Sequence, residues 1–166
     1  MLAALVLNGL ASMEGRVFTE AGNCPVCGGT VSGYDRKRRF FARIQDEEVS
    51  RDVEVVVTRY TCKGCRRLIV APAPFYPGTR VGAPVIDLSW ALSREMPAYR
   101  VANVMSEMGV LVDQGSVRSW AARDAWGLKI TRLFGHPIPL SVLALSLPAP
   151  GSEPGLYESR PVVRTE

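Results

Sequence analysis

Histidine is almost absent from this sequence: among 166 residues there is one, His136, followed directly by Pro137. A lone histidine before a proline reads as a surface loop residue and leaves little room for a histidine-assisted nucleophile. No HExxH pattern and no glycine-rich phosphate loop occurs. Asp87, Asp113 and Asp124 are scattered, and two of them suit helix termini better than a catalytic pair. The expectation is therefore that the chain is not an enzyme. Long apolar runs are missing too: none reaches the ~18 residues of a membrane-spanning helix. The opening MLAALVLNGLAS is apolar but short, and no basic residues lead it as they lead a secretory signal. Met13 offers a second start, so residues 1–17 read as an N-terminal extension. No membrane partner is expected, and the expected compartment is the cytoplasm, with nucleoid association. Cysteine is scarce, with four in the chain. In a reducing compartment four cysteines point to metal ligation more than to a disulfide framework.

Charge is unevenly placed. The formal net charge is +4 and the isoelectric point about 9.1. Residues 1–134 carry 18 Lys and Arg against 13 Asp and Glu, and residues 135–166 carry two Arg against three Glu. Six of the 12 prolines also lie in 135–166, so this stretch is expected to be a disordered Pro-rich tail. The body permits a polyanionic partner without demonstrating one.

The four cysteines form two pairs, Cys24-Pro-Val-Cys27 and Cys62-Lys-Gly-Cys65, with 34 residues between them. A CxxC turn aims two sulfurs at one point, and two such turns supply the four thiolates of a closed tetrahedral zinc site. The run from Asp52 to Tyr60 and the short Leu68-Ile-Val70 are β-branched and strand-like. Gly28, Gly29 and Gly64 serve tight turns. Together these features indicate a zinc ribbon over 18–76 with structural Zn2+ on Cys24, Cys27, Cys62 and Cys65. An iron site of the rubredoxin kind uses the same pairs, although the two arginines after Cys65 are foreign to an electron-transfer surround.

Between the pairs, Arg36, Lys37, Arg38 and Arg39 form the densest positive run, read here as a ribbon-tip patch able to neutralise phosphates. The segment 71–84 holds four prolines and two glycines and reads as an extended arm. Residues 85–93 suit a short buried helix. Then Pro97 opens a helix with an apolar stripe of Val101, Val104, Met105 and Met108, stopped by Gly109. Asp113 is placed to cap a further helix that buries Val117, Trp120 and Ala121. Gln114, Ser116, Arg118, Ser119 and Arg123 lie mostly outside that stripe and have the character of DNA-contacting residues. Two helices with a short turn match the helix-turn-helix outline, giving a second unit with the arm over 77–134. The expected fold class is α+β: a small β-rich ribbon, then a helical unit, then the tail.

The order of these parts resembles the N-terminal region of a group of bacterial and archaeal insertion-sequence transposases of the DDE type. The resemblance rests on Tyr60, Cys62 and Cys65, then the Pro-rich arm, then Pro97, Tyr99 and Arg100, then Gly109, Val110, Ser116 and Trp120. It covers about Asn23 to Trp126. It implies binding to double-stranded DNA at transposon ends, with a catalytic transposase subunit or a second copy of the chain as a further partner. In those transposases an RNase H-like domain with acidic metal ligands follows, and the Pro-rich tail stands here in its place. The resemblance thus implies a zinc-dependent DNA-binding protein without catalytic activity of its own. A zinc ribbon that docks a protein partner through its helix pair remains the alternative.

Overall fold

The computed structural model describes residues 1–124 and 127–146, together with the backbone of 163–164. Its order is α1 (Leu2–Ala11), β1 (Val17–Phe18), β2 (Val31–Asp46), β3 (Val49–Cys62), β4 (Leu68–Val70), α2 (Ala83–Ser93), α3 (Ala98–Glu107), α4 (Gln114–Ala121), β5 (Ile130–Leu133), β6 (His136–Pro139), α5 (Leu140–Ser146) and β7 (Val163–Arg164). The class is α+β. No helix among the described residues is long and apolar enough to cross a membrane.

The β-branched run of β3 forms a strand because Val53, Val55 and Val57 alternate onto one face and bury there. Its antiparallel partner β2 carries the basic run, so its own pattern shows little alternation; pairing with β3 across the full hairpin holds it extended. Glu47 turns the hairpin in the left-handed region at φ 54°. A bulge between Phe40 and Ala42 lets the consecutive residues Phe41 and Ala42 both bury. Phe41 meets Phe75 of the proline arm edge to face, with ring centroids 5.7 Å apart.

The arm is extended, as its composition implies, and it is packed rather than free: Ala71, Ala73 and Phe75 are buried. At its end Gly82 donates its N–H to the Phe41 carbonyl at 2.8 Å. A Cβ at Gly82 would lie 2.4 Å from the Phe41 ring, which is itself fully buried and has nowhere to go. Gly82→Ala should therefore destabilise the protein by about 1–3 kcal/mol through overpacking. Denaturant unfolding measures this, and an unchanged midpoint would refute the contact.

Helix α3 ends as the sequence indicates. Gly109 takes φ 82°, its N–H reaches the Ser106 carbonyl at 2.9 Å, and Val110 N–H reaches Met105 at 2.8 Å. These two bonds, with Val110 and Met105 buried side by side, make a Schellman stop. Asp113 caps α4, accepting the Ser116 N–H at 2.8 Å and the Ser116 hydroxyl at 2.6 Å. Those bonds hold the Asp113 carboxyl below its ordinary range. The turn between α3 and α4 is bonded to the hairpin: Gln45 N–H to Gly109 at 2.8 Å, and Leu111 N–H to Arg43 at 2.9 Å.

The division into an extension, a ribbon and a helical unit does not describe the core. One apolar cluster draws Val6, Leu10 and Met13 from the N-terminus together with Phe41 and Val55 of the hairpin. Val85, Met105 and Trp120 of the helices join it, as do Ile138 and Val142 beyond residue 135. Two boundaries thus need correction. Residues 1–17 contribute buried side chains, because α1 lies on α5 and the hairpin. Residues 135–146 are structured, because Phe134 and Gly135, at φ 52° and 81°, turn a tight β5–β6 hairpin that feeds α5. The rest of the tail, 147–162 and 165–166, lies outside the described residues.

Asp87 on α2 joins three of these parts. It accepts hydrogen bonds from the Tyr76 hydroxyl of the arm and, at 2.6 Å, from Ser141 of α5. Burial pushes its carboxyl above the ordinary range, with the two hydroxyls opposing the shift.

Candidate metal centre and basic surfaces

Two similar knuckles build the cysteine site. In the first, Gly28 N–H returns to the Cys24 carbonyl at 2.8 Å; in the second, Arg66 N–H returns to Cys62 at 3.0 Å. Gly28 and Arg66 stand at the same place after their pairs and both are left-handed, at φ 72° and 62°. Thr30 accepts from Lys63 N–H at 2.9 Å, which holds one knuckle against the other.

The four Sγ atoms all lie within 4.8 Å of one another. Cys24 and Cys65 sulfurs are 3.7 Å apart, and those of Cys27 and Cys62 are 3.4 Å apart. A disulfide needs about 2.05 Å, and all four thiols are free. Sulfurs about 2.3 Å from a tetrahedral metal stand about 3.8 Å from each other, so the spacing suits a bound ion. Glycine makes that closeness possible. A Cβ on Gly29 would stand 3.2 Å from the sulfurs of both Cys27 and Cys62, and one on Gly64 would stand 3.2 Å from Cys27.

Backbone donors favour thiolates here. The Cys65 N–H leads in bringing the Cys62 thiol down to about 6, with the Gly64 N–H, 3.3 Å from that sulfur, adding to it. The Cys24 thiol is lowered chiefly by the Cys27 N–H. Cys65 goes the other way: the Arg67 N–H lowers its thiol, but burial and three neighbouring sulfurs outweigh this and push it up to about 11. The set can coordinate a metal ion.

The basic run Arg36–Arg39 lies along β2, and the hairpin tip is acidic, Asp46-Glu47-Glu48. The tip placement is thus corrected. Strand alternation also divides the run between two faces. Lys37 pairs with Val57 and Arg39 with Val55 in register, on the face the arm covers; Arg36 and Arg38 lie on the other. Arg38 is spent on Glu54 at 3.2 Å, and the adjacent Arg43 on Asp52 at 2.6 Å.

On α4, Gln114, Arg118 and Ser119 are exposed on one helix face. Ser116 is half-buried with its hydroxyl committed to the Asp113 cap, and Arg123 lies past the helix end, its carbonyl held by the Trp90 indole N–H at 3.0 Å. The α4 face and the cysteine site are thus separate places. Tyr99 and Arg100 are exposed at the start of α3. His136 is exposed on β6. The sequence reading missed Arg59 and Arg80, which share a groove with Lys37 and Arg39. The cue was available in the β-period of 53–59, which sets Arg59 opposite the basic run.

No family model matches this chain, and no solved structure matches it. Over 78 residues, 43% of the chain, it is 32% identical to a protein of Sinorhizobium fredii described as the uncharacterized protein y4jD. The chain spans 15% of that relative's length.

Proposed function

We propose that the chain is a zinc-dependent DNA-binding protein of the kind that recognises transposon ends, with the cutting and joining chemistry supplied elsewhere. In this reading Cys24, Cys27, Cys62 and Cys65 hold Zn2+ in a ribbon whose role is structural, since four thiolates leave no open position on the metal. Zinc would supply charge neutralisation and cross-linking of the two knuckles. The α3–α4 pair acts as a helix-turn-helix. Helix α4 enters the major groove, with Gln114, Arg118 and Ser119 toward base edges and phosphates.

The observation that carries the reading is the exposed polar face of α4, backed by buried Val117 and Trp120 and bonded through its preceding turn to the hairpin. A rigid backing of this kind suits a reading helix, because base contacts depend on fixed placement. The resemblance to transposase N-terminal regions supports the same conclusion.

Binding to labelled duplexes bearing candidate transposon ends, across a range of salt, tests it. Steep weakening with salt together with sequence preference is expected. Arg118→Ala should cost about 1–3 kcal/mol of that binding. Unchanged affinity in that variant would remove α4 from the interface, and no binding at low salt would leave the protein-docking alternative.

A further inference from the structure

Phe134 stands at the tip of the β5–β6 hairpin, where two ordinary preferences argue against it. Leu133 pairs with His136, so Phe134 and Gly135 are the two turn residues, both left-handed at φ 52° and 81°. Turns of this kind take Asn or Asp before the glycine, because the left-handed region penalises a bulky side chain. The Phe134 ring is also 70% exposed, and among the described residues only Met1 is a more exposed large apolar side chain. Neither its backbone nor its burial accounts for an aromatic here, and strained positions of this sort concentrate where a protein meets its ligand. We propose that Phe134 is an apolar wedge that enters the minor groove of duplex DNA, next to the major groove that takes α4. The inference rests on the DNA-binding reading and adds a second contact to it, made by shape more than by charge.

Two consecutive residues at the end of α2 fix the tip relative to α4. Arg94 donates to the carbonyl of Ala121, the last residue of α4, at 2.6 Å. Glu95 pairs with Arg132 of β5, and the same guanidinium donates to the Gly135 carbonyl at 3.1 Å. The hairpin is anchored from below as well. Pro137, Ile138 and Pro139 of β6 are buried, with Ile138 in the main apolar cluster. Leu140 N–H closes the base of the hairpin on the Lys129 carbonyl at 2.9 Å. The result is a fixed projection beside the C-terminal end of α4, with the aromatic ring at its outer end.

The chemistry around the tip favours a polyanion over an apolar protein surface. Residues 127–140 include Lys129, Arg132 and His136 and contain no acidic side chain. Glu95, the acid that Arg132 meets, is committed to that pair. An apolar tip with basic neighbours matches a recurrent minor-groove device, in which an apolar side chain unstacks one base step while basic groups engage the phosphates. Size agrees with this. Gly135 adds no side chain, so the tip is one ring wide, and a groove about 6 Å across admits a ring but not a helix. A ring seated between two base pairs kinks the duplex, by about 20–90° in proteins that work this way.

The test uses the full chain and duplexes bearing candidate transposon ends, labelled at both ends for energy transfer and carrying a fluorescent base analogue at single steps. The wild type should bend the duplex and brighten the analogue at one step, where stacking is lost. Phe134→Asn should bind about 5- to 150-fold more weakly, the loss expected for one aromatic–base stack, with both signals gone. Its salt dependence should be unaltered, because no charge is removed. Phe134→Leu keeps an apolar wedge and should keep most of the bend. Asn suits the left-handed turn, so the Tm of Phe134→Asn should hold or rise. A fall in Tm would make the ring part of the fold and overturn the wedge.

Unchanged affinity and bending in Phe134→Asn, with Arg118→Ala weakened, would overturn the wedge and leave the α4 reading standing. A loss in Phe134→Asn with none in Arg118→Ala would support the wedge and remove α4 from the interface. A dimer in sedimentation that Phe134→Asn disperses would assign the tip to a second copy of the chain and overturn the wedge. Failure of the wild type to bind any duplex at low salt would overturn both readings.

Discussion

Cys62→Ser, or extraction of the metal by a strong chelator, should dismantle the cysteine end of the sheet while leaving most of the helical body folded. Cys62 is the last residue of β3 and fully buried; among the described residues its buried apolar companions are Cys24 and Ile69, with Val31, Tyr60 and Cys65 half-buried against them. So small a cluster holds two knuckles and β4 weakly by itself, because little apolar area leaves water there. A structural zinc ion contributes an apparent ~10–16 kcal/mol of binding free energy in small zinc peptides. In the zinc-bound form proposed above, part of that would offset the ordering of the loops, and the rest would hold them.

The main cluster around Phe41, Val55 and Met105 lies outside this site, with the half-buried Tyr60 packed against both. Hydrogen exchange should therefore lose protection around 22–32 and 60–70 first, with helical circular dichroism largely kept. Elemental analysis of the wild type should give one metal per chain, colourless for zinc and red for an iron–thiolate site. A metal-free wild type, or a Cys62→Ser variant with unchanged exchange at 60–70, would sink the assignment.

The cysteine site was legible because its information is local. Each CxxC turn closes on itself within a few residues, and the glycines that let the sulfurs approach stand next to them. The α3 stop and the Asp113 cap were legible for the same reason, since Gly109 and Ser116 lie within a turn of what they terminate or satisfy. Strand β2 was not legible as a strand throughout. Its extended state comes from β3, and its charges mask the alternation that a one-sided strand ordinarily shows. Reading four consecutive cations as one patch then followed from treating them as a loop. Once the segment is a strand, neighbours point to opposite faces, and the run becomes Lys37 with Arg39 on one side and Arg36 with Arg38 on the other. Helix α1 was least legible, because its partner is almost the full chain away: Ser146 Oγ donates to the Leu5 carbonyl across a separation of 141 residues. An apolar opener of ten residues gives no local sign of where it will pack.

A chain begun at Met13 should accordingly be severely destabilised. Val6 and Leu10 keep 1% and 2% of their surface exposed. Removing two such side chains forfeits about 1.5–3 kcal/mol each, or about 3–6 kcal/mol together, before counting the uncovered surfaces of Met13 and Val142. Against the ~5–15 kcal/mol of a typical domain, this is a large share. For a chain of this size it corresponds to a loss of about 10–20 °C in Tm. The loss has a specific structural route. Gly9 lets α1 approach α5 so closely that a Cβ there would meet Ser146 Oγ at 3.0 Å and Leu145 Cβ at 3.1 Å. Gly9→Leu should therefore reproduce part of the truncation's effect with every residue of α1 still present, by prising the helix from α5. Calorimetry of both variants separates the explanations. A loss in the truncated chain but none in Gly9→Leu would place the stabilisation in the contact of α1 with the hairpin. An unchanged Tm in the chain begun at Met13 would show that α1 contributes nothing to the fold, and residues 1–12 would then be an extension after all.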